Sequence, residues 1–221
     1  MKRGWFITFE GGEGSGKSTQ ARLLADALKS RRVPVVHTRE PGGTSIAESV
    51  RKVLLNPAGR VAPLTELLLY EAARAQHLAE VVVPALRAGR TVICERYTDA
   101  TEAYQGYGRG LDLRAIKTLN AIATDRLLPD LTFLLDVPVA RGLSTARRLA
   151  KRLSRRAPRA KGGDRMERES ASFHGRVRRG YLRLAKENKR RFRVISWGGT
   201  IEQVQTRILS EVDRLHGQRH D

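Results

Sequence analysis

The 221-residue chain holds a single cysteine, Cys94. That excludes a disulfide framework and any zinc site built on several thiolates. Long apolar runs are missing as well: stretches such as Val81-Val82-Val83 stop far short of the roughly 18 residues that a membrane helix needs. The opening Met1-Lys2-Arg3 passes into Trp5-Phe6-Ile7-Thr8-Phe9-Glu10, too short and too soon charged for a secretory leader. Glycine (20) and proline (8) are too few and too scattered for a collagen or low-complexity chain. What remains is a globular chain, expected in the cytoplasm. Its length suits one domain over 1–221, because single cores grow to roughly 250 residues before they split.

Acids are scarce beside bases: 23 Asp and Glu against 42 Lys and Arg leave a net charge of +19. Such a balance raises nucleic acid as a partner. Its distribution argues otherwise. Between Val139 and Arg193 lie 20 Lys and Arg but only four acids, Asp164, Glu167, Glu169 and Glu187. Most of the excess therefore sits in a quarter of the chain, and no aromatic before Phe173 offers a stacking platform there. A basic patch facing a small polyanion such as nucleotide phosphates accounts for it. Nucleic acid is not expected as a functional partner, and neither is a membrane.

Apolar runs alternate with helical periodicity along the chain. Strands are expected at 5–10, 33–38, 91–95, 131–136 and 192–197. Helices are expected at 20–29, at 64–86 with Leu67, Leu68, Ala72 and Ala75 inward, and at 201–215 with Val204, Ile208 and Val212 on one stripe. Strands separated by helices predict an α/β fold with a parallel sheet of five strands flanked by helices. The stretch Ser154–Gly163 reads as a basic loop.

Gly11-Gly12-Glu13-Gly14-Ser15-Gly16-Lys17-Ser18-Thr19 fits G-x-x-x-x-G-K-[ST] between an expected strand and an expected helix. Its backbone N–H groups would wrap phosphates at a helix N-terminus, with Lys17 on the β/γ-phosphates and the Ser18 hydroxyl placed for Mg²⁺. This is an NTP-binding P-loop. No N-K-x-D guanine signature accompanies it. Four further polar motifs follow, at the ends of later strands or on helices. They are Arg39-Glu40-Pro41-Gly42-Gly43-Thr44, Tyr70-Glu71-Ala72-Ala73-Arg74-Ala75-Gln76-His77, Glu95-Arg96-Tyr97 with Thr101 and Tyr104-Gln105-Gly106, and Gly163-Asp164-Arg165-Met166-Glu167. Each has a bland reading taken singly, as a turn arginine, a core tyrosine or a solvated basic face.

Together and in this order they resemble the thymidylate kinase family, over nearly the whole chain. The resemblance implies a P-loop kinase fold that transfers the ATP γ-phosphoryl to dTMP with Mg²⁺, giving dTDP, as a homodimer. By that likeness Arg39 and Arg96 hold the dTMP phosphate, and Tyr70 stacks on thymine where the family commonly has Phe. Arg74 and Thr101 bond the thymine edge, with Gln105 in the same set. Tyr104 crowds the sugar 2′ position, and Glu13 lies near the acceptor sugar. Residues 147–165 resemble the family's lid, whose Arg148, Arg152, Arg155, Arg156, Arg159 and Arg165 are candidates for an arginine finger. Arg165 is the first choice, because Glu13-Gly14-Ser15 carries no arginine. Catalytic roles then fall to Lys17, Glu95, Arg96 and Arg165, with the metal on Ser18 and Glu95.

The chain departs from the pattern twice. Glu95 stands where the family has Asp, and Ala100 where a serine is common. These departures leave open a kinase for another nucleoside monophosphate, or a weakened nucleotide-binding homologue that contacts nucleic acid or a partner. His37, His77 and His174 show no metal-ligand spacing and read as structural or solvated. Cys94, in an expected strand, reads as packing.

Overall fold

In the computed structural model, residues 3–156 and 164–217 are described. Five parallel strands, β1 (Phe6–Glu10), β2 (Val35–Arg39), β3 (Thr91–Glu95), β4 (Leu131–Asp136) and β5 (Phe192–Ser196), form one sheet. Their order is β2-β3-β1-β4-β5. All five residues of β1 are buried, as expected of a central strand covered on both faces. Because β1 lies between β3 and β4, strand order reverses there, and ligands of open α/β sheets bind at the carboxyl ends of such strands.

Helices α1 (Lys17–Ser30), α2 (Ser45–Leu55) and α3 (Pro63–His77) follow the first two strands. Thr44 caps α2, accepting the Ala47 N–H at 3.1 Å, and Pro63 opens α3 where its missing N–H costs nothing. From α3 the chain runs through a π-helical turn, Leu78–Val82, into α4 (Val83–Arg87). Pro84 removes a ladder donor there, which suits the widened turn. Past β3 come α5 (Thr98–Thr101), a second π turn at Glu102–Gly108, and α6 (Leu113–Thr124). Helices α7 (Val139–Arg156), α8 (Ala171–Glu187) and α9 (Ile201–Gly217) complete the set.

On one side of the sheet Ile7, Phe9, Leu24, Leu28, Ile208 and Val212 pack α1 and α9 onto it. Phe173, Val177, Tyr181 and Leu184 of α8 join Leu134 and Phe192 in a second cluster. Leu78, Val82, Leu86 and Tyr97 form a third around Phe6 and Val92.

Two expectations are corrected. Helix α3 turns Leu67 inward but leaves Leu68, Ala72 and Ala75 exposed; its buried face carries Glu66, Glu71, Arg74 and His77 instead. Charged residues go inside because partners await them there, Glu71 and Arg74 in each other, Glu66 in Arg109 and Arg165, and His77 in Glu40, and the apolar row is left on the surface. The basic segment expected as a loop from Ser154 is helical through Arg156, as the end of α7. Its continuation, with Arg159, lies outside the described residues, as do the side chains of Arg155 and Arg156.

Helix α7 also meets the P-loop backbone to backbone. A Cβ on Gly142 would stand 2.4 Å from the Glu13 carbonyl oxygen, and one on Gly14 only 2.1 Å from that of Gly142. Only two glycines allow this approach. Helix α7 thereby starts directly on the phosphate loop.

Candidate active site

The P-loop follows β1 and ends in the first turn of α1, as its glycines and the helix dipole require. Gly11, Gly14 and Gly16 take positive φ, and Lys17 curls over the loop. Its Nζ donates to the carbonyls of Gly11 (3.0 Å) and Gly12 (2.7 Å) and to Ser15 Oγ (3.2 Å). Burial and the nearby Arg96 push Lys17 down to about 7, against Glu13, Glu10 and Glu95. An arriving phosphate would supply the missing counter-charge. Ser18 Oγ donates to Glu95 Oε2, bringing a hydroxyl of α1 against a carboxylate of β3. The other Glu95 oxygen lies 3.1 Å from His37 Nε2. Burial opposes ionisation of Glu95, but the His37 and Ser18 hydrogen bonds prevail and lower its pKa. His37 is thus a neighbour of the site, not a bystander, and the longer glutamate is what spans Ser18 and His37.

Arg96, directly after β3, has φ 68, a left-handed conformation that costs a side-chain-bearing residue about 1–3 kcal/mol. The surrounding bonds hold it there. Its N–H donates to Phe9 O at 2.9 Å. Its Nη2 donates to Glu13 Oε1 (2.7 Å) and Tyr104 Oη (3.0 Å), and Tyr104 in turn donates to Glu13 Oε1 (2.7 Å). The guanidinium also lies 4.8 Å from the Tyr104 ring centroid. Burial alone would raise Glu13, but Arg96, Lys17 and the Tyr104 hydroxyl overrule it and hold the carboxyl at about 2.

This triad forms one wall of a cavity. Tyr70, Arg74, Ala100, Thr101 and Gln105 line it, joined by Arg51, Leu55, Asp164 and Met166. Of the residues expected to meet an acceptor, Glu13, Tyr70, Arg74, Arg96, Thr101, Tyr104 and Gln105 are brought together here. Arg39 is not. Its guanidinium is half-exposed and pairs with Glu48 at 2.7 Å, because the end of β2 points it over α2. Arg51, one of the residues that sequence reasoning missed, takes the wall position instead and donates to Pro41 O at 2.8 Å. No local signal distinguishes it from other helix arginines.

Arg74 is 2 % exposed and every N–H is engaged. Nε donates to Glu40 (2.8 Å), Nη1 to Glu71 (2.7 Å) and Asn120 (2.9 Å), Nη2 to the Tyr97 carbonyl (3.1 Å) and Thr101 Oγ1 (2.9 Å). A ligand contact at Arg74 would therefore share a proton already in use, so this arginine first of all builds the cavity floor. The other Glu40 oxygen, Oε1, lies 3.0 Å from His77 Nδ1. With both oxygens engaged, the proximity of Glu40, His77 and Cys94 reads as structural packing.

Arg165 is likewise engaged. Its Nε donates to Leu54 O (2.8 Å) and Nη2 pairs with the fully buried Glu66 (2.5 Å). Glu66 also receives Gln105 Nε2 at 2.7 Å and Arg109, tying Gln105 of the cavity wall to both arginines. In this structure Arg165 faces α2 and α3, not the P-loop.

A second groove adjoins the far side of the P-loop. Ser15, Gly16 and Thr19 meet Trp197, Gly198 and Gly199 there, and the Arg141 guanidinium lies 5.0 Å from the Trp197 ring centroid. Nothing in the sequence flagged this groove, because α7 and the turn after β5 meet only in the fold.

A phosphate cradle at the sheet's switch point, with a groove on one side and a polar cavity on the other, defines a P-loop kinase. The chain matches the family model described as thymidylate kinase over residues 9–208. It is 52% identical over 206 residues to the thymidylate kinase of Syntrophotalea carbinolica, covering 92% of this chain and 93% of that one. It is 46% identical over 220 residues to that of Pelobacter propionicus, covering 98% of each. A solved thymidylate kinase from Ehrlichia chaffeensis superposes with a TM-score of 0.76 at 36% identity, covering 96% of this chain and 99% of that one. The chain belongs to the thymidylate kinase family.

Glu13 gives a test of the triad in the free protein. Its folded pKa of about 2 lies below the ordinary 4.5, so it contributes stability above pH 4.5 that fades as pH falls toward 2. Glu13→Gln should flatten the decline of the urea midpoint between about pH 5 and pH 2. A decline as steep as wild type would show that Arg96 and Lys17 do not hold the carboxylate.

Proposed function

We propose that this chain transfers the γ-phosphoryl of ATP to dTMP, giving dTDP. The observation that carries this reading is the cavity holding Tyr70, Thr101, Tyr104 and Gln105 across the Glu13–Arg96 pair from the P-loop, in a chain of the thymidylate kinase family.

The P-loop amides and Lys17 would hold the donor phosphates, and the adenine would lie in the groove between Arg141 and Gly199. Arg96, preset in charge and direction, would grip the acceptor phosphate, with Arg51 beside it. Tyr70 offers a ring face to thymine. Gln105, with its amide nitrogen on Glu66, offers its carbonyl to the N3–H, which cytosine lacks. Tyr104, fastened to Glu13 and Arg96, would fill the space a 2′-hydroxyl needs. Catalysis would then be alignment and charge neutralisation, without a covalent intermediate. Closure of the lid would exclude water, which otherwise competes as acceptor.

Ser18 and Glu95 meet at the mouth of the P-loop with hard oxygen donors, a set that fits Mg²⁺. When bound, the ion neutralises charge on the phosphate oxygens. Glu95, kept ionised by His37 and Ser18, would hold it.

A homodimer is part of the same reading. Ile46 and Val53 of α2, Leu64 and Leu68 of α3 and Ile122 of α6 are all exposed, and these three helices pack side by side. A second copy would cover this apolar row. Sedimentation of the purified chain as a monomer at micromolar concentration would remove that proposal. With ATP and dTMP as substrates, the cytoplasm is the proposed place of action.

The assignment is tested by ADP release across a panel of nucleoside monophosphates. dTMP should react fastest and dUMP more slowly, with weak activity on the ribose analogue of dTMP, CMP and AMP. Equal rates across the panel, or activity on purines alone, would sink it.

The same assay reads two substitutions. Glu95→Asp withdraws the carboxylate by one methylene from Ser18 and His37 and should lower kcat, since misplacement of ~1 Å can cost ~10²-fold; a higher kcat would mean the site is still built for Asp. For the lid, Arg165→Ala should lower kcat ~10²-fold or more if this arginine leaves Glu66 to meet the transferring group. A change below ~3-fold would instead point to Arg148 or Arg152 on α7.

A further inference from the structure

Glu10 ends β1 immediately before the P-loop and is fully buried, yet it belongs to no role assigned above. Its two carboxylate oxygens are divided between two donors. Oε1 accepts the backbone N–H of Tyr97 at 2.7 Å, the residue directly after Arg96. Oε2 accepts the Tyr181 hydroxyl of α8 at 2.8 Å. The oxygen of that hydroxyl accepts in turn from Arg96 Nη1 at 3.3 Å. The bonds run in one direction, from the guanidinium through the tyrosine to the carboxylate.

We propose that Glu10 is a positioning residue for the acceptor phosphate: it fixes Arg96 at the backbone through the Tyr97 N–H and at the guanidinium through the Tyr181 hydroxyl. This rests on the reading that Arg96 holds that phosphate. The chemistry demands a carboxylate, because both oxygens must accept. A glutamine keeps an oxygen for Tyr97 but turns an NH₂ toward Tyr181. The tyrosine oxygen then faces two donors and its own proton has no acceptor, so the relay breaks while the backbone bond survives. Tyr181→Phe breaks the same relay from the other side. An aspartate, one methylene shorter, cannot reach both donors.

The sequence gives Glu10 no such role, because Tyr181 lies 171 residues away. Tyr104 and Glu13 hold the Nη2 side of the guanidinium; Tyr181 alone reaches Nη1 among its hydrogen-bond partners in the described residues. Removing the relay frees one edge of the group and leaves the other held. The effect is therefore partial.

The experiment measures KM for dTMP and for ATP, with dTMP affinity by calorimetry in the absence of ATP, on Glu10→Gln, Tyr181→Phe, the double variant and Arg96→Ala. Each single variant is expected to weaken dTMP about tenfold by both readouts, leave KM for ATP within about twofold and, combined, do no worse than either alone. Thermal melting checks that each variant is folded, and should Glu10→Gln fail to fold, Tyr181→Phe carries the test. If Arg96→Ala weakens dTMP while Tyr181→Phe binds it as wild type does, the relay is overturned and the role of Arg96 stands. If Arg96→Ala leaves dTMP binding unchanged, the role of Arg96 fails and the proposal falls with it. Equal losses for ATP and dTMP accompanied by a lowered melting point would overturn it as a merely structural effect.

Discussion

The ion pair between Glu13 and Arg96 joins the two halves of the site. Glu13 lies inside the phosphate loop and Arg96 at the end of the neighbouring strand, so one contact of 2.7 Å ties the phosphate cradle to the polar cavity. Both groups are largely withdrawn from water, where charge–charge attraction is stronger than at the surface and an unpaired partner is costly. Tyr104 closes the pair into a triangle and removes the freedom of the guanidinium to swing. A left-handed backbone at Arg96 is tolerable only inside such an arrangement, since each neighbour adds a bond that the relaxed conformation would lose.

Beneath that pair lies a second polar layer whose role is shape. Arg74 satisfies all five of its donors within the protein, on residues from β2–α2, α3, α5 and α6. A buried arginine with a missing acceptor would be strongly destabilising, so the four segments have little choice of relative position. The floor of the polar cavity is rigid for that reason. Helix α3 accordingly has two characters: a charged face turned inward, and an apolar row turned outward toward the place where a second copy would dock.

Glu95 of β3 ties α1 and β2 to the mouth of the P-loop, its carboxylate bridging Ser18 on one side and His37 on the other. At the opposite side of the loop, Gly14 and Gly142 let α7 begin in backbone contact with the phosphate cradle.

The sequence alone determined the strands, their parallel order of helices between them, the P-loop and the motifs that resemble the family, because these are local patterns: runs of apolar residues, glycine spacing, and short polar signatures. It also nominated seven residues that the fold gathers around one polar cavity. It misplaced Leu68, Ala72 and Ala75, since periodicity gives the faces of a helix but not which one turns inward. Only the tertiary structure decided that the charged face of α3 is buried, because acceptors for Arg74 come from segments up to 46 residues away. It also paired Arg39 with Glu48, bound Arg165 to Glu66, and set Trp197 beside the P-loop. Hydrogen bonds and ion pairs between distant segments fix those positions, and a buried charge goes where its partners are.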